Sequence, residues 1–313
     1  MKSGRFISHL IRRLSWEELD AAYLRALVET ARAEDIEGAG LAAVPAVAAD
    51  ITTMALTPKI QTAAALVARR DMVVCGMKLL PIIMSVYSSF ADGEKLEFFP
   101  LAADADRVAK GAVLGEFKGS ARIMLQAERV MLNFLQRLSG VATETAKYAD
   151  LLAGSKTLLL DTRKTTPGLR VLEKYAFACG GGHNHRMGLF DRVMLKDNHL
   201  FAAGAASGAM LAEAVRAARA KNPNVAVEVE VDEIAQIQPV LDAEADVIML
   251  DNFSFADMRE AVSIIDGRAW VEVSGQVNLD TLPEIAKIAP DFVSTAAPVH
   301  SSKWIDIGLD SHI

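Results

Sequence analysis

Two rhythms run along the chain. Before about residue 155 the apolar positions keep mixed spacings. From Lys156 onward, short β-rich runs alternate with helical ones. In the first half, Ser15 followed by Glu18 makes a capping-box signature. Leu19, Tyr23, Ala26 and Leu27 then recur at helical spacing, which predicts a helix from Trp16 to about Ala33. Ile36–Ala49 is rich in Gly and Ala and has no period, so it reads as a loop or insertion. Lys59–Gly76 reads as strands broken near Arg70-Asp71, Met77–Ser89 as helix, and Lys95–Gly119 as short strands with a turn at Lys110-Gly111. Arg122 to about Ala153 is a long helical stretch, with Gly140 expected to interrupt it.

In the second half the predicted strands are Thr157–Asp161, Arg192–Lys196, Val225–Val231, Val247–Asp251, Trp270–Ser274 and Phe292–Thr295. The helical runs between them include Leu211–Ala220, Asp232–Ala243, Ala256–Ile265 and Leu279–Ile288. This alternation predicts parallel strands with crossover helices, which suits an open doubly wound sheet or a barrel. Almost every strand ends in reactive side chains, from Asp161-Thr162-Arg163-Lys164 and Lys196-Asp197-Asn198-His199 to Asp251-Asn252 and Ser294-Thr295. A barrel collects its chemistry at the carboxyl ends of the strands, whereas an open sheet concentrates it at one switch point, so the pattern favours the barrel.

Composition narrows the function classes. With 313 residues the chain suits two domains, or one barrel with an appendage. Its 33 basic and 40 acidic side chains give a net charge of −7, which argues against a nucleic-acid partner. No apolar run approaches the roughly 20 residues that span a bilayer, and the charged start lacks the apolar core of a secretory signal, so a cytoplasmic protein is expected. Cys75 and Cys179 have neither zinc nor redox spacing and read as reduced thiols.

Four stretches carry candidate chemistry. In Asp161–Arg170 a strand ends in two cations and two hydroxyl residues before a Pro-Gly turn opens a helix. That arrangement suits a carboxylate or phosphate, and a solvated basic turn is the plainer alternative. In Gly180–Leu189 three glycines precede His185 and Arg186 and allow close approach of backbone to ligand. Glu228 and Glu230 alternate on one face of a strand, and Asp251 ends the next. Such carboxylates can hold Mg²⁺ against a pyrophosphate, or pair internally with nearby cations, and the pattern leaves both open. Glu128-Arg129 on the long helix reads, alone, as a surface pair.

Taken together, Ala127–Gly140, Asp161–Arg170, Gly180–Leu189, Lys196–His199, Glu228–Glu230 and Leu250–Asn252 resemble the quinolinate phosphoribosyltransferase family, in its order and approximate spacing over about residues 50 to 300. The resemblance implies an N-terminal α/β sandwich domain over residues 1–140 and an incomplete TIM-like α/β barrel over 141–313. The C-terminal tail would return to the first domain, and each site of a homodimer would be completed by the partner chain. It implies transfer of phosphoribosyl from phosphoribosyl pyrophosphate to quinolinate with loss of CO₂, and Mg²⁺ as cofactor. Arg129 matches the arginine lent to the partner. Arg163, His185, Arg186 and Lys196 match the wall that holds the acid, with Thr162 beside them. Lys164, Glu230 and Asp251 match the catalytic group, the last two ordering the metal. Ser274-Gly275-Gln276 and Ser294-Thr295-Ala296-Ala297 match the 5′-phosphate loops, although the family usually has glycine where Gln276 and Ala296 stand. Backbone amides can still hold phosphate at these two positions if φ stays negative. A related enzyme that takes nicotinate or another acid, and a non-catalytic ligand-binding paralogue, are the alternatives.

Overall fold

Strands that are apolar on both faces must be buried on both, and the second half of the chain is built of such strands. The computed structural model describes residues 4, 7–43, 45–55 and 59–312. Part of the charged start (residues 1–3, 5 and 6) and residue 44 of the 36–49 segment lie outside them. The strands are β1 Gln61–Ala68, β2 Met72–Val73, β3 Leu96–Pro100, β4 Arg107–Val108, β5 Val113–Ser120, β6 Leu158–Leu160, β7 Val193–Leu195, β8 Val227–Val231, β9 Val247–Asp251, β10 Trp270–Ser274, β11 Phe292–Ser294 and β12 Ile307–His312.

The chain packs as two units, and neither is continuous in sequence. One gathers the residues up to Leu14, Thr145–Thr165 and Gly181–Ser301. The other gathers Ser15–Glu144, Thr166–Gly180 and the residues from Ser302 on. The helix Ala121–Leu151 runs unbroken through the 140/141 division that the resemblance implies. The helix Arg170–Cys179 falls in the second unit because its side chains pair there: Glu173 with Arg137, and Tyr175 with Asp104.

In the first unit, six parallel strands lie in the order β6-β11-β10-β9-β8-β7. Leu10, Leu160, Ala226, Val247 and Phe292 form one buried cluster, with Leu158 and Trp270 packed against it. These residues lie on or beside strands from β6 to β8. A flat sheet would hold β6 and β8 roughly 19 Å apart, at about 4.8 Å per strand. Residues at the carboxyl ends of β6, β8 and β7 nevertheless line one cavity, so the sheet curls on itself, with Leu10 packed at its floor. The curl is an incomplete barrel, because among the described residues β6 and β7 do not pair. On the free side of β6, His183 bridges Leu160 in parallel, and Asn184 in turn bridges Arg12.

In the second unit, antiparallel strands lie in the order β12-β1-β5-β3. The edge strand β12, which the periodicity did not reveal, pairs with β1 at Leu66↔Leu309. The helix expected from Trp16 begins later and ends later, as a 3₁₀ turn at Trp16–Glu18 followed by a helix at Ala21–Glu37. Its N-cap is Asp20, whose side chain accepts the Ala22 and Tyr23 amides, so Ser15 caps only the short turn. Gly140 does not interrupt the long helix. A Cβ there would lie 2.3 Å from the Lys303 carbonyl oxygen, so glycine is present for close approach. Cys75 and Cys179 are both free, and burial together with its Cys179 neighbour raises the Cys75 thiol well above its ordinary value. Among the described residues no helix is long and apolar enough to cross a membrane.

The packing of Leu10 gives a stability test. Leu10→Ala should lower the unfolding free energy by about 2–4 kcal/mol, as for other buried leucines, measured by denaturant melts. A change within the error of the melt would show that the floor does not depend on it.

Candidate active site

The carboxyl ends of the barrel strands surround a cavity of about 400 Å³. Thr162, Arg163 and Lys164 follow β6, Lys196 follows β7, and Glu230, Asp251 and Ser274 come from β8, β9 and β10. His185 and Arg186 enter from the segment after the three glycines, and Ser294 closes β11. Residues singled out in the sequence from seven separate stretches thus line one cavity. Met194 and Met249 line it too. They were not anticipated, because an inward-facing apolar residue looks like core unless the strand register is known. Met194 and Met249 alternate with Lys196 and Asp251, and that period was the available signal.

Beneath the cavity lies a layer of buried charge. Glu228 and Glu272 are fully buried, with Arg192 at 4% and His185 at 5% exposure. Arg192 Nη1 donates to Glu228 at 3.1 Å, and His185 Nε2 lies 3.3 Å from Glu228 and 3.4 Å from Glu272. Burial works against the Glu228 charge, but His185 and Arg192 outweigh it and hold its carboxyl well below the usual range. Burial likewise disfavours the charged His185 ring, yet the two carboxylates raise it overall. The His185, Glu228 and Glu272 donor atoms lie within 4.8 Å of one another, as metal ligands would. However, His185 Nδ1 already accepts the Arg186 amide at 2.7 Å, which leaves the ring proton on Nε2 facing the carboxylates. Glu228 is engaged in an internal ion pair with Arg192.

Glu230 and Asp251 form a separate pair at the rim. Glu230 bonds to Lys196, and Asp251 accepts from Asn252 Nδ2 at 2.8 Å. Burial raises the Glu230 carboxyl against the opposing pull of Lys196, and Asp251 and Asp197 push it further in the same direction. Mutual repulsion between carboxylates on adjacent strands is what a bound cation relieves. The pair suits a hard, oxygen-seeking ion such as Mg²⁺ that keeps water or phosphate oxygens for its remaining ligands.

The phosphate-loop residues stand differently. Gly275, Gln276, Thr295, Ala296 and Ala297 do not line the cavity, although Ser274 and Ser294 do. Gln276 adopts φ 52°, the left-handed conformation a glycine would take without strain, whereas Ala296 keeps an ordinary φ of −90°. The condition of negative φ is therefore met at Ala296 and fails at Gln276. Thr295 Oγ1 donates to Val277 and receives the Ala297 amide, tying the two loops together. Arg129 lies in the second unit, on the helix Ala121–Leu151, and lines another cavity of about 360 Å³ there with Asn133, Phe134 and Trp304.

An incomplete parallel barrel whose strand ends gather cations beside an acidic pair defines an α/β-barrel protein built for anionic ligands. Comparison with known proteins makes that class specific. The quinolinate phosphoribosyl transferase N-terminal domain matches residues 50–139, and the C-terminal domain of the same family matches residues 141–310. The chain belongs to that family. It is 37% identical over 306 residues to the chloroplastic nicotinate-nucleotide pyrophosphorylase [carboxylating] of Arabidopsis thaliana, covering 91% of this chain and 82% of the relative. It is 38% identical over 247 residues to a probable nicotinate-nucleotide pyrophosphorylase [carboxylating] of Synechocystis, covering 78% and 80%. The solved nicotinate-nucleotide pyrophosphorylase of Francisella tularensis aligns with a TM-score of 0.83 at 39% identity, covering 94% of this chain and 98% of that one.

His183 beside the site provides a pH test. Burial, with Arg13 nearby, lowers its pKa from 6.5 to about 4. The unfolded chain would take up this proton first, so stability should fall as the pH drops from 6.5 toward 4. Because the ring is only about half buried, the loss should be about 1–2 kcal/mol. Thermal melts across that range should show His183→Gln flattening this part of the wild-type curve. Parallel curves would rule out the His183 contribution.

Proposed function

We propose that the chain transfers phosphoribosyl from phosphoribosyl pyrophosphate to quinolinate with loss of CO₂, yielding nicotinate mononucleotide and pyrophosphate for NAD biosynthesis. The observation that carries this reading is the convergence of Arg163, Lys164, Arg186 and Lys196 with Glu230 and Asp251 on one cavity. Four cations exceed the need of a single carboxylate and suit a dianion together with a phosphorylated sugar. Planar guanidinium groups at Arg163 and Arg186 match a planar diacid bidentately. Burial disfavours the charged form of Arg186, so an arriving carboxylate also restores what desolvation removed.

In this reading Arg163, Arg186 and Lys196 hold the acid so that its ring nitrogen faces the anomeric carbon. Lys164 and Thr162 sit beside the departing pyrophosphate, and Ser274 and Ser294 beside the 5′-phosphate. Mg²⁺ held by Glu230 and Asp251 would neutralise the leaving group. The new bond makes the ring nitrogen cationic; the adjacent carboxylate then leaves as CO₂, its bonding pair stays on the ring carbon beside that nitrogen, and a proton from water takes the vacated place. No covalent nucleophile is required. The proposed setting is a cytoplasmic homodimer, with Arg129 lent to the partner's site.

The reading is tested by incubating the protein with quinolinate, phosphoribosyl pyrophosphate and Mg²⁺ and measuring CO₂ and nicotinate mononucleotide. Turnover with quinolinate, lost on chelation of the metal, is expected. Product from nicotinate without CO₂ would favour the related transferase, and binding without turnover the non-catalytic paralogue. Arg163→Ala should raise the KM for quinolinate by about 10- to 100-fold, the worth of a charge-assisted hydrogen bond of roughly 1.5–3 kcal/mol. Unchanged KM would remove Arg163 from the acid site.

The shared site has its own test. Arg129→Ala and Lys164→Ala chains should each be inactive alone. If Arg129 serves the partner, a mixed dimer holds one intact site and one doubly broken site. Equal mixing with subunit exchange should then restore up to about one quarter of wild-type activity, since half the dimers are mixed. No rescue with exchange verified, or near-normal activity of Arg129→Ala alone, would defeat the cross-subunit role.

A further inference from the structure

The acid-binding segment of the barrel is held by a short stretch of chain that carries none of the site residues. Arg186 follows three consecutive glycines, and Gly181 takes φ 96°. Such a run has little intrinsic stiffness, so something outside it must fix where Arg186 stands. A set of hydrogen bonds from the start of the chain does so. The Asn184 amide donates to the Arg12 carbonyl at 2.7 Å, and the Leu14 amide donates to Asn184 Oδ1 at 2.7 Å. Arg13 Nη2 donates to the Gly181 carbonyl at 2.7 Å. Leu10, two residues before Arg12, is anchored in the barrel floor at 1% exposure.

From Asn184 the chain of bonds runs inward. Its Nδ2 donates to Asp161 Oδ2 at 2.7 Å, and the other oxygen of Asp161 accepts the His185 amide at 2.8 Å. His185 Nδ1 accepts the Arg186 amide, and its Nε2 faces Glu228 and Glu272. Asn184 and Asp161 are both buried. Neither lines the cavity, and neither is needed for the chemistry proposed above.

We propose that Leu10–Leu14 is a strap, and Asn184 its positioning residue, that together set the place of His185 and Arg186 and so tune affinity for the acid substrate. The inference rests on the reading that Arg186 binds quinolinate. It deepens that reading by dividing the labour within the wall. His185, with both ring nitrogens engaged, holds the Arg186 backbone, and Arg186 meets the carboxylate. The hydrogen bonds of Arg12, Arg13 and Leu14 described above go to the segment that carries the acid site, whereas Leu10 packs near the starts of β8 and β9, at the opposite end of those strands from Glu230 and Asp251. Loss of the strap should therefore separate the two substrates. A generally weakened fold would not.

The experiment measures kcat, the KM for each substrate, equilibrium quinolinate binding and melting temperature for full-length wild type, Asn184→Ala, Arg13→Ala and Arg13→Lys. Arg13 is exposed, so its variants retain the fold even if Asn184→Ala does not. Asn184→Ala should raise the quinolinate KM by about tenfold or more, the scale expected when a binding group is misplaced by a fraction of an ångström to an ångström. Its phosphoribosyl pyrophosphate KM should stay within about twofold. Arg13→Ala should move the same parameter in the same direction by a smaller factor, and Arg13→Lys should restore most of it. Equal shifts in both KM values, or a lowered melting temperature with neither KM changed, would overturn the strap while leaving the proposed reaction intact. A wild type that neither binds nor turns over quinolinate would overturn the functional reading and the strap's role with it.

Discussion

The constraint on which the barrel unit depends is the burial of charge inside a parallel sheet. Because side chains alternate along a strand, the residues that place Glu230 at the rim also place Glu228 one layer deeper, and β10 places Glu272 beside it. An unpaired carboxylate there would cost several kcal/mol. Arg192 and His185 are the answer to that cost, and they fix the protonated nitrogen of the imidazole and the path of the backbone into Arg186. The cavity above inherits its shape from this layer. The proposed catalytic surface is thus the upper face of a buried ionic core.

The two acidic layers differ in one respect that governs their use. In the deeper one Glu228 is held by Arg192 and faces His185 Nε2, and Glu272 faces the same ring nitrogen at 3.4 Å. The rim pair stands where carboxylates of neighbouring strands repel each other and where a single lysine answers Glu230. Strand period alone could not tell these fates apart, since both glutamates lie on one face. Depth separates them, and depth depends on how far the sheet curls.

Much of the architecture was legible in the sequence because its strands are apolar, short and evenly spaced. β9 and β10 run over the expected residues, Val247–Asp251 and Trp270–Ser274. The clustering of Thr162, Arg163, Lys164, Lys196 and Asp251 followed from their being strand-end residues. Other features were hidden for physical reasons. Gly140 read as a helix breaker, because its purpose depends on a carbonyl from Lys303 that no local window contains. β12 lacked a strong alternation, and its partner β1 lies more than two hundred residues away in sequence. Asn184 looked like a loop residue between two histidines. Its backbone amide, side-chain oxygen and side-chain nitrogen meet partners at Arg12, Leu14 and Asp161, which only the folded chain brings together.

The interleaving of the two units bears on how the molecule is made. Leu10 emerges from the ribosome long before Phe292, its neighbour in the barrel floor, and β1 before its partner β12. Neither unit can finish until nearly all of the chain has been synthesised, so partly built intermediates expose an unfilled floor and an unpaired sheet edge. Contacts of such long sequence separation slow folding and leave aggregation-prone surfaces open meanwhile. For the same reason a protease cut near the middle of the chain would not release two self-sufficient halves, since each fragment would lack a stretch of sequence that its own unit needs.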